Sequence, residues 1–185
     1  MKEIILFFLL LSTTAWCAAD ESIDLYQQIE LLKMARTATV VLVPERWFFD
    51  RRLDESGLKE GGCTYTTRDP ALVSSLVELI KRADVAVASN VEGPCGGGAW
   101  GAWGAHEGIF LNLSNETEVK FLLGRNFIGQ NARIRGEFSL SDTFKIIHVT
   151  TERSLIHDLM QWAVQTGEPE VHNARRQTEC KNYIH

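Results

Sequence analysis

Several kinds of residue pattern are missing from this chain, and each absence removes a class of function. Cysteine is scarce, four in 185 residues, and no two form a CxxC pair. That argues against thioredoxin-like redox chemistry and a zinc ribbon. No GxxxxGK[ST] phosphate loop and no GxSxG nucleophile elbow occurs. His106-Glu107 opens like HExxH, but Phe110 stands where the second histidine belongs, so a zincin is excluded. Basic runs are isolated doublets, such as Arg51-Arg52 and Arg175-Arg176, in a chain of net charge −5. Nucleic acid needs a denser basic footprint and is not expected as a partner. Beyond the N-terminus no apolar stretch approaches the roughly 20 residues that span a bilayer.

What is present begins with the leader. Met1-Lys2-Glu3 is followed by an unbroken apolar run from Ile4 to Leu11, a Ser-Thr-Thr step and Ala15-Trp16-Cys17-Ala18-Ala19. A charged start, a short apolar run and a small-residue exit are the anatomy of a secretory signal. Cutting after Ala19 sets Cys17 and Ala19 at the −3 and −1 positions, and cutting after Cys17 sets Ala15 and Cys17 there. Lipidation of Cys17 is the competing reading, but bulky Trp16 occupies the position before the cysteine that lipoproteins keep small. The expected organisation is a signal peptide over 1–19, one domain over 20–167 and a polar tail over 168–185, in a periplasmic or secreted protein.

The apolar share of 45% and the charged share of 23% are those of an ordinary globular domain. Export makes a disulfide the expected state of two among Cys63, Cys95 and Cys180. Spacing does not choose between Cys63–Cys95 and Cys63–Cys180, and one thiol is left over. Asn112-Leu113-Ser114 and Asn115-Glu116-Thr117 match the glycosylation sequon.

Along the chain, Ile23 to Met34 carries helical periodicity and Thr37 to Val43 reads as a buried strand, with Trp47 to Leu53 as its partner. Asp54 to Gly62 reads as a loop and Thr64 to Thr67 as a short strand. Asp69-Pro70 opens a helix in the favoured way, a capping aspartate followed by proline at the first position. Four short, partly alternating segments follow: Ile109 to Leu113, Val119 to Leu123, Ala132 to Phe138 and Phe144 to Val149. The turns between them are expected at Ser114-Asn115-Glu116 and Gly124 to Gln130. A last helix runs from near Thr151 to a stop at Gly167. Strands arriving in runs argue for an α+β single domain: a mostly antiparallel sheet with about three helices, two on one face.

The most unusual segment is glycine-rich Gly93 to Gly108, with Trp100 and Trp103 three residues apart. Long loops of this kind are often functional, and tryptophan is enriched at binding hot spots. Trp100, Trp103 and His106 are therefore the candidate binding residues, against the plainer reading that both indoles close the core. No catalytic residue, metal or cofactor is assigned. The expected function is an exported non-catalytic binding protein, an inhibitor or immunity-type protein with a protein partner. The alternatives are a hydrolase using His106, Glu107 and Asp158, and a structural component of an envelope assembly.

Overall fold

The computed structural model describes residues 24–44, 55–88, 105–128, 133–143, 145–171 and 174–184. Helix α1 covers 24–31 and runs through a 3-10 turn, Leu32–Met34, into β1 (Ala35–Leu42). Then come α2 (Glu55–Gly61), β2 (Cys63–Thr67), α3 (Pro70–Arg82) and β3 (Ala86–Val87). Four long strands follow, β4 (Glu107–Leu113), β5 (Glu118–Ile128), β6 (Arg133–Leu140) and β7 (Ile146–Glu152), and then α4 (Ser154–Thr166) and α5 (Ala174–Ile184). The seven described strands join one antiparallel sheet in the order β2-β1-β4-β5-β6-β7-β3.

The strands have two unlike faces. In β6 and β7 burial alternates residue by residue, with Ile134, Phe138, Ile147 and Val149 enclosed and Arg135, Glu137, Ile146 and His148 on the other side. The enclosed set meets Val40 and Leu42 of β1, Ile109 and Leu111 of β4, and the apolar stripes of α3 and α4 in a single core. A period of two with one apolar face is what an antiparallel sheet covered on one side requires.

Helix α3 begins as expected: the Asp69 carboxylate accepts from the Ala71 N–H at 2.8 Å, and Pro70 follows it. Helix α4 ends at Gly167, whose φ of 103° favours glycine. Trp162 of α4 donates its indole N–H to the Leu72 carbonyl at 2.9 Å and ties the two helices together. The β4–β5 turn is closed by Asn115, whose side chain accepts from the Thr117 N–H. Glu116 takes the left-handed φ of 67° there.

Four readings of the sequence change. Among the described residues there are five helices, where about three were expected. The segment read as a loop from Asp54 to Gly62 contains α2, held by Glu55–Lys59 and Ser56–Glu60 pairs four residues apart and by burial of Leu58. The turn expected over Gly124 to Gln130 is, through Ile128, a continuation of β5, with an irregularity in its pairing with β6 between Leu123 and Phe127. The polar stretch after Gly167 contains a bridge from Glu170 to Thr64 and then α5. The strand expected at Trp47 to Leu53 lies outside the described residues, and the described partners of β1 are β2 and β4.

Cys63 pairs with Cys180, across 117 residues, and fastens α5 to β2. Cys95 lies outside the described residues. Both ends of the sheet are kept short or covered, as exposed edges must be to avoid pairing with other chains. β3 has two residues, and on β2 both backbone groups of Thr64 bond Glu170, at 3.3 and 2.7 Å.

Candidate functional site

Helices α3 and α4 cover one face of the sheet, and α5 is linked to that side through Cys180. Among the described residues, α2 alone lies over the opposite face, where Leu58 packs with Val41, Val43, Ala105 and Phe110. The helix comes close because Gly108 has no side chain. A Cβ there would stand 2.7 Å from the Leu58 Cδ2 and 2.8 Å from the Phe110 ring.

Strand register arranges the rest of this face into transverse rows. One row reads Thr66, Thr39, Phe110, Lys120, Ser139 and Ile146; the next reads Thr64, Val41, Gly108, Leu122, Glu137 and His148. Neighbours in a row stand directly opposite one another across a strand pair, the arrangement in which side chains interact.

At the α2 end, four charges interlock. Glu55 accepts from Lys120 at 2.7 Å and from Lys59 at 2.9 Å, and Glu118 lies 3.4 and 3.5 Å from the same two ammoniums. Lys59 also stands over the Phe110 ring, 4.0 Å from its centre. Burial acts to raise the Glu55 carboxyl, but the bonds from Lys120 and Lys59 outweigh it and hold the group below its ordinary value. The bond from Glu55 correspondingly raises Lys120.

Beside this network is a pocket of about 430 Å³. Its floor is Thr39, Thr64, Phe110 and Asn112, from β1, β2 and β4. Its walls are Lys59, Glu118 and the Glu170-Val171 segment that follows α4.

Farther along the same face, Glu137 sits opposite His148, with its Oε1 3.8 Å from the imidazole Nδ1. Burial pushes the Glu137 carboxyl from an ordinary 4.5 up to about 7. A carboxyl that titrates near neutrality beside an imidazole is a recurrent mark of functional surfaces. Because the folded value exceeds the unfolded one, Glu137 contributes stability that is fully present below pH 4.5 and lost as the pH rises through 7. Glu137→Gln should therefore gain stability relative to the native chain between pH 4.5 and 8, read from denaturant midpoints at the two ends. Parallel pH profiles for the two proteins would contradict the burial effect.

Of the residues expected from sequence, Trp100 and Trp103 lie outside the described residues. His106 immediately precedes β4, where its N–H donates to the Leu123 carbonyl at 2.8 Å and its carbonyl accepts from Val43 at 3.1 Å. Glu107 is completely buried, on the helix-covered face opposite Leu42. His157 is exposed and Asp158 half-buried, both on α4. The pocket residues and Glu137 were not singled out as site residues. Their signals were the Glu55–Lys59 spacing and the polar alternation along Arg133, Arg135, Glu137 and Ser139.

Among the described residues no helix is long and apolar enough to cross a membrane, and no group of three or more His, Cys, Asp or Glu is placed to hold a metal ion. No family model matches the chain, and neither does any curated protein or solved structure.

Proposed function

We propose that the chain is an exported, non-catalytic binding protein that grips an extracytoplasmic protein partner, in the manner of an inhibitor or immunity protein. The contact surface is the face of the sheet that carries α2. The observation behind this reading is the division of labour between the two faces: one is spent on the main apolar core, and the other holds Thr39, Lys120, Ser139, Glu137 and His148 in ordered rows on strands around the small apolar patch closed by α2. Strands hold such groups more precisely than loops do.

Export is supported by the leader at Ile4 to Leu11 and by the Cys63–Cys180 disulfide, a bond that persists in oxidising compartments. Trp100 and Trp103 remain the proposed aromatic anchors of the partner contact.

The test is capture of the partner by the tagged mature protein and by a Thr39→Arg/Ser139→Arg variant. These positions are half-buried on the strand face, so the arginines reach outward and leave the core intact. Melting within a few degrees of the native chain verifies that. Capture should fall at least tenfold in the variant. Undiminished capture would contradict the assignment of this face, and recovery of the protein from the cytoplasm with its leader attached would contradict export.

A further inference from the structure

We propose that the pocket beside α2 receives the guanidinium of an arginine side chain displayed by the partner; this rests on the binding reading above. The charges around the pocket decide its preference. Glu55, Glu118 and Glu170 supply three carboxylates against the two ammoniums of Lys59 and Lys120. Both lysines are already engaged by Glu55 and Glu118, and Lys59 additionally by the Phe110 ring.

Among the described residues no cation pairs with the Glu170 carboxylate. Its backbone is nonetheless fixed, because its N–H and carbonyl both bond Thr64 on the edge of the sheet. Among the described residues around the pocket, an anionic ligand would meet Glu118 and Glu170 with no uncommitted cation to receive it. A cationic one would find a waiting carboxylate.

The neutral lining favours the same ligand. Thr64 and Asn112 line the pocket, and their side chains have no hydrogen bond to the described residues. With Glu170 they present acceptors on three separate elements: β2, β4 and the segment after α4. A compact ammonium reaches acceptors around one point, whereas the planar guanidinium carries five donors spread over a fork. Charge-assisted bonds of that type are roughly twice as strong as neutral ones. The net charge of −5 favours approach of a basic partner in the same sense.

The experiment is a nuclear magnetic resonance titration of the full, disulfide-intact chain with the blocked peptide acetyl-Gly-Arg-Gly-amide. Its lysine and citrulline counterparts and the free small cation agmatine are the comparison arms. The arginine peptide should shift the amides of Thr39, Thr64, Asn112 and Glu170. Citrulline, of the same shape without charge, should bind at least tenfold more weakly, lysine should fall between, and Glu170→Gln should weaken the arginine peptide at least fivefold. The variant keeps the backbone bonds to Thr64, so its unchanged melting point verifies the fold.

Equal binding of citrulline, shifts centred elsewhere, or no shifts at millimolar peptide would overturn the proposal. Agmatine binding more tightly than the peptide would overturn the assignment to a protein side chain. Failure of the peptide while capture still depends on Thr39 and Ser139 would remove the arginine pocket alone. Failure of both would remove the binding reading beneath it.

Discussion

Replacing Cys63 and Cys180 together by alanine should lower the unfolding free energy by about 4–5 kcal/mol, because the bond closes a loop of 117 residues. For a domain of this size that is a fall in melting temperature of roughly 10–15 °C. The double substitution avoids leaving an unpaired thiol. The loss should not be uniform. Helix α5 is polar along most of its length, Arg-Arg-Gln-Thr-Glu before the cysteine and Lys-Asn after it. Among its described side chains Cys180 alone is fully buried, with Tyr183 half-buried against the core. A helix with so narrow an apolar stripe gains little from packing, and isolated helices of its length are marginal in water. Hydrogen exchange should therefore speed up first over 174–184 and over the Glu170 bridge to Thr64, while β4 to β7 remain protected. Beneath this region lies Tyr65, whose phenol is pushed up to about 12 by burial, with Tyr183 adding to the effect. Its hydroxyl is buried with no partner among the described residues, so loosening α5 should bring it back toward ordinary titration. A melting point lowered by less than about 3 °C, with α5 still protected, would show that packing rather than the disulfide holds the helix.

The second large effect is expected at Trp162. The indole is 2% exposed and fills the contact between α3 and α4, so Trp162→Ala should cost about 3–5 kcal/mol. Trp162→Phe separates the two contributions. It keeps most of the apolar volume and loses the hydrogen bond to the Leu72 carbonyl, for a cost of about 1–2 kcal/mol. That carbonyl also accepts from the Ser75 hydroxyl at 2.8 Å, so it is not left without a partner. Urea melts of the two variants should rank alanine well below phenylalanine. Equal destabilisation by both would mean that the hydrogen bond, rather than the filled volume, dominates the joint.

How much of this was legible beforehand depended on whether the signal was local. The start of α3 could be read because Asp69 and Pro70 act on their own next turn. The stripes of α3 and α4, and the alternation of β6, β7 and the first half of β5, could be read because burial on one face imposes a period. Helix α2 was missed because its one fully buried apolar side chain, Leu58, gains its place from Gly108, fifty residues later. The extension of β5 was missed because Gly124-Arg125-Asn126 has turn composition; these residues fall in the irregular stretch of the ladder, and pairing with β6 resumes only at Phe127 and Ile128. The pairing of Cys63 with Cys180 rather than Cys95 depends on where α5 docks, which spacing does not encode. The candidate site was the least legible part. The row from Thr64 to His148 draws one residue from each of six strands, and only register brings them together. A linear motif has no means of recording that.

The central claim is that the sheet face carrying α2 meets the partner while the helix layer does not. Photocrosslinking in the producing cells tests it most directly, with benzoyl-phenylalanine placed singly at Thr39, Lys120 or Ser139 on the strand face, and at Ser74 or Gln161 on the exposed surface of α3 and α4. The account predicts an adduct of one common mass from the three strand positions and none from the helical pair. Adducts from Ser74 or Gln161, with the strand positions silent, would contradict it.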